Sequence, residues 1–233
     1  MIAPGDRIAV GVSGGKDSLL LLRTLCELRR FYPAPFEVEA VTLHMGQSAG
    51  VPGPGMDFRP VRELCRELGV NYTVVPTDIA PVVFDVRREE NPCSLCAKLR
   101  RGALHEAALS LGCRKVALGH HKDDAVETFL LSLMYEGRLS CFRPVTYLDR
   151  KGITVIRPLL YADEALVRST AERLALPVVH NPCPANGRTK RQEVKELLAE
   201  LDGRAPGLRE RAFGAMKRGL PGWALQDTDD DGE

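Results

Sequence analysis

No apolar run in this 233-residue chain approaches the roughly 18 residues that a membrane-crossing helix needs. Its N-terminal stretch, MIAPGDRIAVGVSGGKDS, also has no basic segment ahead of an apolar one. A membrane span and a secretory leader are therefore not expected, and a cytoplasmic protein is. There is no internal repeat, and the one biased segment is acidic, Asp227 to Glu233, where disorder is expected. The net charge of +1 hides an uneven distribution: Asn186 to Arg218 carries nine Lys or Arg against five Asp or Glu, which reads as a basic face or as an ordinary solvated helix. Seven cysteines are an odd number, and they include no second C-x-x-C and no His-x-His pair. That argues against a disulfide framework and against a structural zinc site.

What the chain does contain is alternation. RIAVGV (Arg7–Val12) reads as a strand, the glycine-containing Ser13–Asp17 as a turn, and LLLLRTLCELRR as a buried helix. Further strands are expected at Phe36–Leu43, Asn71–Val75, Lys115–Leu118 and Ile153–Ile156, with helices at Arg59–Leu68 and from Asp123 to about Tyr135. Met45–Asp57, rich in Gly and Pro, reads as a mobile loop. Strands that alternate with helices favour an α/β fold, a mostly parallel sheet with helices on both faces. One domain is expected over residues 1–220, with a helical C-terminal portion from about residue 186 and an acidic tail over 221–233.

Where the first strand meets the first helix stands Ser13-Gly14-Gly15-Lys16-Asp17-Ser18. Backbone N–H groups and a helix dipole converge there on a polyanion, and Lys16 adds charge. It is not a Walker loop, since Val10 stands where that pattern needs Gly and Asp17 where it needs Ser or Thr. It resembles the SGGxDS signature of the PP-loop ATP pyrophosphatases, whose Rossmann-like (adenine nucleotide alpha hydrolase-like) fold holds the pyrophosphate part of ATP while the α-phosphate is attacked.

A second constellation, Gly119-His120-His121-Lys122-Asp123-Asp124, follows the fourth expected strand. Ligands of open α/β sheets lie at the carboxyl ends of strands, so it converges with the phosphate loop. Asp124 and Glu127 match a capping box, and Asp123 suits a helix start. Capping does not explain the two histidines, and His120 and Asp123 are expected to serve the site.

Cys26, Cys65, Cys113 and Cys141 read as small buried or surface thiols. Cys93 and Cys96, in NPCSLC, admit a redox pair, a zinc site or a cluster; the thioredoxin position is taken by the phosphate loop. Cys183, in NPCPANG, repeats the Asn-Pro-Cys context, and a helix N-terminus is expected to lower the pKa of such thiols. Three thiolates would leave one iron of a [4Fe-4S] cubane without a protein ligand, free to take sulfur.

PCSLCAKLRRGAL, ALGHHKDDAVETFLLSLMYEGRL, VIRPLLYADE, NPCPANGRTKRQEVKELL and RERAFGAMKR resemble the tRNA 2-thiocytidine synthetases (TtcA family), from Arg7 to about Arg218. The resemblance implies an ATP- and iron-sulfur-dependent tRNA sulfurtransferase that adenylates the C2 oxygen of an anticodon-loop cytidine and replaces it with sulfur. ATP would be bound by Ser13, Gly14, Gly15, Lys16, Asp17, Ser18, His44, Gly119 and His120. Mg²⁺ would be aided by Asp17 or Asp123, and Cys93, Cys96 and Cys183 would hold a [4Fe-4S] cluster, with Asp17, Asp123 and Cys183 catalytic. Arg100, Arg101, Arg188, Lys190 and Arg191 would lie near tRNA. Implied partners are tRNA, a cysteine desulfurase or other sulfur donor, and a second copy in a homodimer. The departures are shorter termini than longer family members have, Asn186 where some carry a further cysteine, and His44 where an acidic residue often ends the second strand.

Overall fold

A computed structural model describes residues 1–49, 55–88, 92–183 and 189–223. Six strands form one sheet in the order β3-β2-β1-β4-β6-β5. They are β1 (Asp6–Gly11), β2 (Phe36–His44), β3 (Asn71–Pro76), β4 (Lys115–Ala117), β5 (Val145–Leu148) and β6 (Ile153–Ile156). All neighbours run parallel except β5, which pairs antiparallel with β6. The helices are α1 (Lys16–Leu28), α2 (Arg59–Glu67), α3 (Pro92–Ser110), α4 (Lys122–Glu136), α5 (Glu164–Arg173), α6 (Lys190–Arg204) and α7 (Leu208–Gly219), with a π-helical segment at Pro81–Arg87.

The strand pleat explains why β1 is apolar throughout. Ile8 and Val10 join one buried cluster with the α1 leucines, Val61 of α2 and Val167 of α5. Ala9, between them, points to the opposite face and packs with Leu104 and Ala108 of α3. A strand covered on both sides has no polar face to alternate with. A third cluster joins Ala125 and Val126 of α4 to Val194 and Leu198 of α6, Phe213 and Met216 of α7, and Trp223.

β5 was not expected from the sequence. It is an edge strand with Val145 and Tyr147 exposed, preceded by Pro144, so it carries no apolar run to announce it. Among the described residues no helix is long and apolar enough to cross a membrane.

Candidate functional site: a cleft at the topological switch point

From β1 the chain moves outward to β2 and β3, then returns to place β4 on the other side of β1. The crevice at the carboxyl ends of β1 and β4 is thus the switch point where open α/β sheets bind ligands. Both sequence constellations arrive there. Gly14 adopts φ 81°, a left-handed conformation that favours glycine. Its carbonyl accepts the Val179 N–H at 2.9 Å. Ser18 Oγ donates to the Gly15 carbonyl at 2.9 Å and accepts the Ser13 N–H at 3.1 Å, closing the turn on itself. The first N–H groups of α1 have no carbonyl partner within the helix and are left for an anion.

Gly119 serves by what it lacks. A Cβ there would stand 2.9 Å from the backbone carbon and oxygen of Asp17, so the end of β4 rests directly on the phosphate loop.

Beside the loop lies a polar cavity of about 380 Å³. Lys16 and Asp17 of α1, His121, Asp124 and Glu127 from the start of α4, and Glu164 of α5 form three sides; Thr189, Arg191, Gln192 and Lys195 form the fourth. Lys16 Nζ lies 2.9 Å from Asp17 and 3.4 Å from Glu164, and Lys195 lies 2.7 Å from Glu164. Burial pushes the Glu164 carboxyl up, but Lys195, with Lys16 and Arg168, outweighs it and brings the pKa to about 2. The cavity thus sets three cations, Lys16, Arg191 and Lys195, among four carboxylates, Asp17, Asp124, Glu127 and Glu164, an arrangement that suits a polyphosphate carried with a divalent cation rather than a bare polyanion.

The adjacent aspartates are sorted by the cap of α4. The expected box of Asp124 with Glu127 does not form. His121 is the N-cap, its Nδ1 accepting the Asp124 N–H at 3.4 Å while Asp124 Oδ2 accepts the His121 N–H at 3.0 Å. Asp123, expected to serve the reaction, has both oxygens engaged: Oδ2 accepts the Glu164 N–H at 2.7 Å and Oδ1 the Arg209 Nη1–H at 2.7 Å. It ties α4 to α5 and α7, and Asp124 faces the cavity instead. His121 Nε2 lies 3.7 Å from Asp17 and 3.4 Å from Asp124, between the two cavity carboxylates.

His120 and His44 do not line this cavity. His120 stacks on Phe142 and accepts a hydrogen bond from Arg157 Nε at 3.2 Å. His44, at the end of β2, accepts the Gly46 N–H at 3.2 Å.

Cys93 and Cys96 occupy the start of α3. Cys96 lies within electrostatic reach of Arg100, Cys183 and Cys93, so the distant Cys183 does return to the pair. The expected lowering of thiol pKa at this helix start does not hold for Cys96: burial raises it, and the Arg100 charge only offsets part of that. Among the described residues no three Cys, His or carboxylate side chains are gathered tightly enough for a single metal ion. A cubane spreads its ligand sulfurs over separate corners, so loosely converging thiols fit a cluster better than zinc. Burial raises the other thiols, Cys26 and Cys113 to about 11 and Cys65 and Cys141 to about 12.

Of the expected RNA contacts, Arg100, Arg101 and Lys190 are exposed. Arg191 turns inward, with Nη1 3.1 Å from Glu127 and Nη2 donating to Thr128 at 2.9 Å. Arg188 lies outside the described residues. Sequence reasoning missed His121, Glu164, Thr189, Gln192 and Lys195. The only signal for the last three was the basic, N-capped start of α6.

A phosphate loop at the switch point of a parallel sheet defines a nucleotide-binding α/β protein of the PP-loop class, and the model of the PP-loop domain matches residues 3–201. A tRNA-cytidine(32) 2-sulfurtransferase of Anaeromyxobacter dehalogenans (strain 2CP-C) is 41% identical over 97% of this chain and 76% of its own length. One from Pelobacter propionicus is 42% identical over 95% of this chain and 81% of its own. The chain belongs to the tRNA-cytidine(32) 2-sulfurtransferase family. Its fold is also similar to the U34-tRNA thiolase NcsA of Methanococcus maripaludis, solved with its [4Fe-4S] cluster: TM-score 0.75, 26% identity, 93% of this chain and 72% of that one covered.

Proposed function

We propose that this chain is a cytoplasmic, ATP- and iron-sulfur-dependent sulfurtransferase that replaces the C2 oxygen of cytidine 32 in tRNA with sulfur. The observation that carries the reading is the approach of the distant Cys183 to Cys96 and Cys93 in a PP-loop chain whose fold is similar to that of a cluster-bearing tRNA thiolase.

The C2 oxygen of a cytosine is amide-like and leaves poorly, which is why ATP is spent. In the first step that oxygen attacks the α-phosphate. The N-terminus of α1, Ser13 to Ser18, Lys16 and Lys195 hold the departing pyrophosphate, where charge accumulates. Asp17 and Asp124, on either side of His121, would hold Mg²⁺, which when bound would offset phosphate charge, since Mg²⁺ is usually bound through one or two carboxylates and substrate phosphates. Asp123 keeps α4, α5 and α7 in register around them.

In the second step sulfur at the sulfide level, released from the persulfide of a cysteine desulfurase by a thiol reductant, forms a bond to C2 as the C2–O bond breaks, and AMP leaves with the oxygen. Cys93, Cys96 and Cys183 would hold the cluster, which when bound supplies an iron without a protein ligand at which sulfur can be delivered. Arg100 and Arg101, on the exposed side of α3, meet tRNA phosphates, and Lys190 does so from α6. The working assembly is a homodimer.

Anaerobically purified protein is expected to be brown, to contain iron and acid-labile sulfide, and to release pyrophosphate when tRNA is added, an activity lost in Asp17→Ala. Absence of colour, iron and sulfide together would remove the cluster; pyrophosphate release with no sulfur entering tRNA would point to a ligase with an amine nucleophile.

A further inference from the structure

At the carboxyl end of β6, next to the end of β4, sits a buried cation with no carboxylate partner among the described residues. Arg157 is 8% exposed. Its Nη1 donates to the Arg143 carbonyl at 2.6 Å and approaches Thr146 Oγ1 at 3.5 Å, and its Nε donates to His120 Nδ1 at 3.2 Å. The guanidinium carbon lies 4.7 Å from the Phe142 ring centre, and His120 stacks on the same ring with centroids 4.6 Å apart. Loss of solvation lowers the guanidinium pKa to about 10. A buried charge without a counter-anion costs stability, so the arrangement calls for a reason other than stability.

The hydrogen bond has a chemical consequence. A guanidinium only donates, so Nδ1 of His120 must be the acceptor, and the proton of the neutral ring must sit on Nε2. Burial, then the charges of Arg157, Arg191 and His121, hold the His120 pKa down to about 3.

We propose that Arg157 is a positioning residue for the adenylation step, fixing His120 as a neutral imidazole with its proton on Nε2, a group that can donate to substrate but cannot accept a proton. The inference rests on the function proposed above and deepens it. The nucleophile of that step is an oxygen that must keep its lone pair. An imidazolium would tend to protonate it, whereas a neutral N–H can orient it by a hydrogen bond and keep its own proton, a use of neutral histidine known in other enzymes. Because Nδ1 is occupied by Arg157, His120 is also excluded as the general base.

The test is nitrogen-15 NMR of the full chain labelled at histidine and arginine, beside tRNA-stimulated pyrophosphate release by the same samples. In the unmodified protein, His120 should keep an unprotonated Nδ1 and a protonated Nε2 between about pH 8 and about pH 5, the range in which an ordinary histidine titrates. A coupling through the hydrogen bond should link Nδ1 to Arg157 Nε. Arg157→Met should lose the coupling and lower kcat for pyrophosphate release about 10- to 100-fold, the usual effect of removing a group that orients a functional histidine, with little change in KM for ATP. Arg157→Lys, which keeps the charge but not the planar fork, should fall between. A purely structural Arg157 would lower thermal stability and leave kcat per folded molecule unchanged. A proton on Nδ1 in the unmodified protein would overturn the proposal, as would wild-type kcat in a folded Met variant. If the Met variant does not fold, wild-type kcat in a Lys variant that has lost the coupling does the same. The NMR arm needs neither tRNA nor a sulfur donor, and pyrophosphate release needs no sulfur, so failure of the thiolation reading leaves a distinct signature.

Discussion

Gly119→Ala tests the joint on which the site is built. The new Cβ would stand 2.9 Å from the Asp17 carbonyl carbon and oxygen and 3.1 Å from the Ser18 nitrogen. Carbon atoms in contact prefer about 3.5–4.0 Å, so the end of β4 and the phosphate loop must separate by roughly 0.5–1 Å. The obstructing atoms are backbone at the start of α1 and cannot rotate away. Overpacking of this kind costs about 1–3 kcal/mol, and in a chain of this size each kcal/mol lowers Tm by about 2–4 °C. The function should suffer more than the fold. A displacement near 1 Å in a positioning group can cost about 100-fold, so kcat/KM for ATP in pyrophosphate release should fall roughly 10- to 100-fold. Thermal unfolding and a pyrophosphate-release assay read the two effects. Gly102→Ala is the control: it lies within α3, its Cβ would meet nothing within 4 Å, and alanine there should gain up to about 1 kcal/mol of helix stability with no loss of ATP use. Wild-type Tm and wild-type kcat/KM in Gly119→Ala would refute the reasoning.

Glu164 carries a pH signature. Its folded-state pKa, about 2, lies below the unfolded value, so its contribution is present above the unfolded pKa near about 4.3 and is lost as pH falls through about 2. The full shift would be worth roughly 3 kcal/mol, but the partly exposed lysine partners reduce that to about 1–2 kcal/mol. Glu164→Gln should be less stable by that amount at pH 7 and should lack this component of acid destabilisation in denaturant titrations; an unchanged acid limb would contradict the assignment. Asp123→Asn and Asp17→Asn should separate structure from chemistry. The former should lower Tm by weakening the α4–α5–α7 joint and retain Mg²⁺-dependent ATP use in the molecules that fold, whereas the latter should fold normally and lose it. The opposite pattern would return Asp123 to the metal.

The parts of this molecule legible in its sequence are those whose physics is local. The phosphate loop could be read because a strand end, two glycines and a helix start must follow one another for backbone N–H groups to face an anion. The strands buried on both faces, such as Ile8–Val10, declared themselves as apolar runs. β5 did not, since an edge strand with Val145 and Tyr147 exposed has little apolar pattern to show. That Asp124 and not Asp123 faces the cavity turns on which residue caps α4. That cap is a histidine, outside the usual Ser, Thr, Asp and Asn. Arg191 was grouped with Lys190 as a surface cation, but successive helix residues point about 100° apart. Lys190 faces outward to Glu193 and Arg191 inward to Glu127. The Arg157–His120 contact joins residues 37 apart in sequence through the pairing of β4 with β6, which nothing in either segment announces.

The most direct test of the central claim follows both products of one reaction. Purified protein incubated without oxygen with ATP, Mg²⁺, sulfide and unmodified tRNA should yield 2-thiocytidine at position 32, read by mass spectrometry of the digested tRNA, with AMP and pyrophosphate formed in equal amounts. ATP cleaved to ADP and phosphate, or AMP and pyrophosphate formed with no thiolated base, would contradict it.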